Sequence, residues 1–326
     1  MLLDLAAVSL GLVALVWGAE RLVGGAAALA RHLGMSPLLI GITVVGFGTS
    51  APEILVSAVA SLDGAPGLAI GNAVGSNIAN IGLILGITAL VAPFAVHSRA
   101  LSREFPVLLA VTLLVPLLIA IDGHFGQVDG GVLLALFVLL LWWAVRTARA
   151  PDSDPLGTET EAEIPQIGLR TAILRFALGL IVLLAASRAL VWGAANIARD
   201  LGISELVIGL TIVAIGTSLP ELAASLVSAL RKEPDLALGN VLGSNLFNLL
   251  AVLCLPAIIA PGPVEPELLT RDLPVMVGFT IALTAMAWGF DGAERRVNRI
   301  EGGLLLAAFL AYLALLVALA LTTHAP

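Results

Sequence analysis

The chain has 326 residues, 59% of them hydrophobic and only 12% charged, with a mean hydropathy of +1.06. A soluble domain carries about twice that charge, so the composition argues against a soluble globular protein and for a polytopic membrane protein. The net charge of −7 argues against nucleic-acid binding, which needs a basic face, and the one cysteine, Cys254, allows no intrachain disulfide and reads as a small buried hydrophobe.

Apolar segments long enough to cross a hydrocarbon core of ~30 Å begin at once. The first covers 4–30. Ala28-Leu29-Ala30 resembles a signal-cleavage site, but Asp4 precedes it and no basic side chain comes before Arg21, so the stretch is read as a membrane span. Glu20 and Arg21 within it either face a water-filled path or snorkel to the nearer interface. The second segment, 37–61, contains GFGTSAPE at 46–53. Pro52 has no N–H, so the Gly48 carbonyl is expected to lose its helical partner, and Pro220 is expected to do the same to Gly216; a freed carbonyl at membrane depth needs another, such as a cation. The third, 67–93, contains GNAVGSNIAN at 71–80, where Gly71 and Gly75 form a small-residue face for close helix packing. Segments at 104–121 and 128–147 follow. The polar stretch ARAPDSDPLGTETEAEIPQ at 148–166 reads as a flexible acidic linker, taken as 148–168. Beyond it lie apolar segments at 169–198, which includes Arg188, 204–230, 236–260, 272–289 and 302–322. The four histidines sit near segment ends, without metal-site spacing.

The two halves are copies. Shifted by 168 residues, GITVVGFGTSAPEILVSAV at 41–59 falls on GLTIVAIGTSLPELAASLV at 209–227, and GNAVGSNIAN falls on GNVLGSNLFN at 239–248. The first repeat occupies 1–147 and the second 169–326, each with five segments. An odd number per half sends the second copy into the membrane from the opposite side. With the N-terminus outside, the inside loops hold Arg31, Arg99, Arg103, Arg146, Arg149, Arg170, Arg175, Arg231, Lys232, Arg295, Arg296 and Arg299. The outside loops hold only Arg199 and Arg271, as the positive-inside rule requires. The expected fold is an all-α membrane protein with ten transmembrane helices, in two inverted five-helix repeats broken at the midplane. Both termini lie outside and the linker is cytoplasmic. Inverted repeats with interrupted helices are a mark of secondary transporters.

The duplicated motifs offer oxygen donors. Thr49 and Ser50 lie four and three residues before Glu53, on one helix face, and Thr217, Ser218 and Glu221 repeat the pattern. Ser76 and Asn80 are four apart, as are Ser244 and Asn248. Carbonyl, hydroxyl, amide and carboxylate oxygens suit hard cations such as Ca²⁺ and Na⁺. Interhelical hydrogen bonding is enough to explain Asn72, Asn77, Asn240 and Asn245, with a role at the site as the alternative. A carboxylate at bilayer depth costs several kcal/mol, which marks Glu53 and Glu221 as functional.

GTSAPE and GTSLPE, followed by GNAVGSNIAN and GNVLGSNLFN, resemble the paired α-repeats of the sodium/calcium exchanger family, within the cation/calcium exchanger superfamily. The resemblance covers nearly the whole chain, in a compact ten-helix form. It implies cation ligands at Thr49, Ser50, Glu53, Ser76, Asn80, Thr217, Ser218, Glu221, Ser244 and Asn248, with backbone carbonyls near Gly46 and Ala214. It further implies one calcium site overlapping sodium sites, past which the first and sixth helices slide. Many family members carry Asp where this chain has Asn248, a departure that bears on ion stoichiometry.

The expected activity is therefore secondary antiport of calcium against sodium by alternating access. A calcium/proton or other divalent-cation/proton exchanger on the same fold is the alternative. An intramembrane hydrolase usually needs histidine partners, and no histidine lies mid-span; a passive channel suits two inverted halves around one site less well. The protein is expected to be no enzyme, and to need no cofactor beyond the transported ions. Its expected setting is the bilayer of the cell's inner (plasma) membrane, with the monomer as the simplest form.

Overall fold

In a computed structural model that describes residues 1–35, 37–95, 101–121, 123–147, 167–201, 214–288 and 296–323, helix dominates and occupies most of the described part of each apolar segment. The linker at 148–166, the stretch 202–213 and the loop residues Arg99 and Arg295 lie outside the described residues. The first helix, Leu2–Leu33, stops at Gly34, whose left-handed φ of 64° suits a residue without Cβ.

The second segment is interrupted. Pro37–Ile40, a π-helical turn at Gly41–Val45 and Gly46–Thr49 form one half, Ala51–Leu62 forms the other, and the two bend by 51°. The break falls at Ser50 (φ −80°, ψ 5°). Pro52 stands in the first turn of the new helix, where a missing N–H costs nothing. The proline thus starts a helix instead of kinking one. In the second repeat Ala214–Thr217 and Leu219–Leu230 flank Ser218 in the same way (φ −89°, ψ 4°).

The third segment runs through Pro66–Ala79, a π-helical stretch at Asn80–Leu85 and Gly86–Val91. Its counterpart runs through Pro234–Phe247, Asn248–Val252 and Cys254–Ile259. Both π stretches begin on the asparagine of the repeated motif. A π turn widens the helix by one residue, and such bulges concentrate at functional sites. The remaining long helices are Leu101–Ala120, Gln127–Thr147, Leu169–Asp200, Leu268–Trp288 and Arg299–Thr323. Among the described residues seven helices are long and apolar enough to cross a membrane, or up to eight with the bent pair as one span. Glu104–Ala120 and Leu219–Leu230 are shorter apolar helices.

Small residues set the closest approaches. Gly11, Gly18 and Gly25 recur every seventh residue along the first helix and face Leu169–Asp200. A Cβ on Gly18 would lie 2.9 Å from the Leu183 nitrogen, and one on Gly25 would lie 2.5 Å from the Phe176 nitrogen. These two helices therefore touch backbone to backbone, as small-residue faces allow in a membrane. Near the centre, a Cβ on Gly41 would meet the Leu236 carbonyl at 2.9 Å, and one on Gly243 would collide with the Ile42 backbone. The first repeat's broken helix thus lies directly on the Pro234–Phe247 helix of the second.

The repeats also interlock at their ends. Phe94–Ala95 pairs antiparallel with Arg296–Val297, and His124–Phe125 with Gly262–Pro263. Phe94 and Gly262 are 168 residues apart, so each repeat lends the same loop to a strand of the other. One apolar core accordingly draws on both, including Ile78, Ile84 and Leu108 with Leu242, Leu249 and Phe279.

The distribution of polarity is that of a membrane protein. Leu2, Ile121, Val128 and Ile300 are at least 75% exposed, whereas Glu53, Glu221, Asn80 and Asn248 are each 1% exposed. Oil faces outward and carboxylates and amides face inward, an arrangement that water would not sustain but lipid does.

Candidate functional site

The two breaks and the two π stretches bring their polar side chains into one buried zone. Thr49, Ser50, Glu53, Ser76, Asn80, Ser218, Glu221, Ser244 and Asn248 are all buried; Thr217 is half-buried. Ser50 Oγ donates to Glu221 Oε1 at 3.3 Å, so a hydroxyl of one repeat serves the acid of the other. Thr49 Oγ1 donates to Asn240 Oδ1 at 3.2 Å and lies 3.5 Å from Ser244 Oγ, again across the repeats. Asn80 Nδ2 donates to Asn245 Oδ1 at 3.0 Å.

Several oxygens in this zone have no hydrogen-bond partner although they are buried: Glu53 Oε2, Glu221 Oε2, Ser218 Oγ, Asn77 Oδ1, Asn80 Oδ1 and Asn248 Oδ1. A buried acceptor without a donor costs about 1–3 kcal/mol, more when charged. All six are oxygens, the donor atoms that hard cations take. No cluster of three His, Cys, Asp or Glu side chains forms among the described residues; the acids are two, and hydroxyls and amides make up the rest.

The expected role of the freed carbonyls needs correction. A backbone N–H of the cap at Ser50 turns back onto the Gly48 carbonyl, so Pro52 does not strand it. The Gly216 carbonyl accepts a hydrogen bond from Ser187 Oγ at 2.8 Å, from the Leu169–Asp200 helix. Each carbonyl therefore has a protein partner in place of the helical one that the proline removes. The Gly46 carbonyl accepts the Ser50 N–H at 3.0 Å and faces the Thr49 hydroxyl at 3.4 Å. Ala214 opens the short helix Ala214–Thr217 at the edge of the described residues.

Around the acids the two repeats build the same bracket. Asn72 Nδ2 donates to the Glu53 carbonyl at 3.2 Å and to Ser57 Oγ at 3.1 Å, and Ser57 Oγ donates to the Ala69 carbonyl at 3.2 Å. Asn240 Nδ2 donates to the Glu221 carbonyl at 3.2 Å and to Ser225 Oγ at 2.9 Å, and Ser225 Oγ donates to the Ala237 carbonyl at 3.5 Å. Each bracket pins the acid-bearing helix to the one that follows. Asn72 and Asn240 fit the expected interhelical role, whereas Asn77 Nδ2 donates to the Ala73 carbonyl of its own helix at 2.9 Å. Ser57 and Ser225 escaped the reading of the motifs, although both stand one turn after the glutamate and 168 residues apart.

The other charges in the spans lie elsewhere. Glu20 and Arg188 are exposed, and the Arg21 guanidinium stacks 4.9 Å from the Trp17 ring, which suits a helix face turned to an interface.

The model of the family described as sodium/calcium exchanger protein matches residues 3–146 and 171–318. The putative antiporter CaxA of Alkalimonas amylolytica is 51% identical over 307 residues, 94% of this chain and 96% of that one. The inner membrane protein YrbG of Escherichia coli (strain K12) is 43% identical over 320 residues, 97% of each chain. A solved structure of the sodium-calcium exchanger NCX_Mj superimposes with a TM-score of 0.83 at 35% identity, covering 96% of this chain and 98% of that one. With the family match spread over both repeats, and the motifs that carry it gathered in one buried zone, the chain belongs to the sodium/calcium exchanger family of membrane antiporters.

Proposed function

We propose that this antiporter exchanges Ca²⁺ for Na⁺ across the inner (plasma) membrane by alternating access. In this reading ten spans form two inverted five-helix repeats. Thr49, Ser50, Glu53, Ser76 and Asn80 face Thr217, Ser218, Glu221, Ser244 and Asn248 around the ions, with carbonyls near Gly46 and Ala214 completing the set. The observation that carries the reading is the pair Glu53 and Glu221, each 1% exposed, on duplicated broken helices and each with one oxygen unpartnered. Two carboxylates give a divalent ion charge balance, and hydroxyls and amides fill out its shell. The same acids take sodium in its place, so the two ions exclude each other at one centre. Ions bound in turn at one buried centre, opened alternately to each side, are exchanged and do not leak.

The test is uptake of radiolabelled calcium by proteoliposomes holding the purified protein. An outward sodium gradient is expected to drive uptake that stops when the gradient is removed. Uptake driven by a proton gradient and indifferent to sodium would favour the proton-coupled alternative. Uptake needing no counter-ion gradient would mean a channel.

Topology has its own test. In a Cys254→Ala background, which removes the buried native thiol, a cysteine at position 158 should react with an impermeant maleimide only from the cytoplasm. Cysteines at positions 126 or 263 should react only from outside. Cytoplasmic labelling at position 126 would overturn the inverted arrangement.

A further inference from the structure

Asn240 sits between the two halves of the candidate site and touches both. Its side chain is fully buried. Its Nδ2 donates to the Glu221 carbonyl at 3.2 Å and to Ser225 Oγ at 2.9 Å, while its Oδ1 accepts from Thr49 Oγ1 at 3.2 Å. The amide cannot be turned around. A backbone carbonyl only accepts, so the nitrogen must face Glu221 and the oxygen must face Thr49.

We propose that Asn240 is a positioning residue that sets the Thr49 hydroxyl and the Glu221 turn together, so that one side chain aligns a ligand of the first repeat with an acid of the second. The inference rests on the calcium/sodium reading above. A hydroxyl binds a cation through an oxygen lone pair, so its proton must point away from the ion. Thr49 Oγ1 meets Asn240 Oδ1 at 3.2 Å, the Gly46 carbonyl at 3.4 Å and Ser244 Oγ at 3.5 Å, and it also interacts with the Glu221 carboxylate, whose lone pairs a bound ion would take. Of the first three Asn240 is the nearest, and it is held from behind by two bonds of its own. The Thr49 proton is thereby drawn toward the Pro234–Phe247 helix and the lone pairs are left for the ion. Neither a carboxylate nor a hydrocarbon reproduces this, because the first cannot donate to Glu221 and the second cannot accept from Thr49.

Equilibrium binding of radiolabelled calcium to the purified full-length protein tests it, with Thr49→Val, Asn240→Ala, the bulk-preserving Asn240→Leu and both double variants. Asn240→Ala and Asn240→Leu are each expected to weaken calcium binding roughly tenfold, the scale of one or two lost buried hydrogen bonds. Once Thr49→Val has removed the hydroxyl, the same changes should cost about threefold or less, because the lost interaction is shared. A purely structural asparagine would give losses that multiply. Multiplicative losses in both cycles, or unchanged calcium affinity in Asn240→Leu, would overturn the assignment while leaving the calcium reading intact. No calcium binding by the unmodified protein would overturn that reading and this inference with it.

Discussion

Glu53→Gln or Glu221→Gln should abolish sodium-driven calcium uptake while leaving the protein folded. In the proposed reading each change removes an ionised ligand from a buried cation site, which is worth about 3 kcal/mol or more, roughly a hundredfold in affinity. The fold should survive because what holds these helices does not use the charge. Asn72 and Asn240 grip the backbone carbonyls of Glu53 and Glu221, and those remain in a glutamine. The Ser50 hydroxyl can donate to a glutamine Oε1 as it does to Glu221 Oε1. Removing a buried negative charge should even leave the calcium-free protein as stable as before, or more so. The diagnostic is therefore a pair of measurements. The melting temperature without calcium should be unchanged or raised, and the increase that calcium gives the unmodified protein should vanish. Near-normal transport by either variant would remove that residue from the site. The same logic fixes the direction of the pH response: protons and calcium compete for the same carboxylate oxygens, so acidification should raise the calcium concentration needed for half-maximal uptake, and excess calcium should restore the rate.

The order of elements and the polar positions shared by the two copies can be read from the chain because both follow from short-range rules. Hydropathy marks the spans, and a 168-residue self-match marks the polar positions that two copies share. The details that depend on packing cannot be read that way. Pro52 announces a break, but whether it kinks a helix or starts one depends on where the preceding turn ends, and Ser50 takes that place. The π stretches at Asn80 and Asn248 leave no mark in hydrophobic periodicity, since one extra residue per turn hardly alters an all-apolar pattern. Ser187, which occupies the Gly216 carbonyl, has Ala19 at its equivalent position, so the repeat gives no hint of it. The contacts Ser50 to Glu221 and Thr49 to Asn240 join residues of different copies, and a self-match aligns copies without saying which faces meet.

The charge carried across the membrane should depend on Asn248. With Asn80 and Asn248 both amides, the acids of the candidate site are Glu53 and Glu221, two negative charges when ionised. One Ca²⁺ or two Na⁺ neutralises them, and a third Na⁺ leaves one positive charge. If more than two sodium ions exchange for each calcium, the sodium-loaded carrier is the voltage-sensitive form and the calcium-loaded one is near neutral. Moving one charge through the whole field is worth about 2.3 kcal/mol per 100 mV, enough to register as a current. Asn248 Oδ1 is buried and unpartnered at the start of its π stretch, so Asn248→Asp places a third carboxylate in that spot with almost no change of shape. Two outcomes are open to it, and each is measurable. If the new acid ionises, the calcium-loaded carrier gains a negative charge, and calcium-limited exchange becomes voltage-dependent where it was not. If it stays protonated, exchange continues with its original voltage dependence and acquires a new titration as the pH is raised. Currents from proteoliposomes under opposed sodium and calcium gradients, recorded for both proteins, separate these cases. Strictly electroneutral exchange by the unmodified protein would mean two sodium ions, or protons, for each calcium, and the two-acid centre would then be neutral in both loaded states.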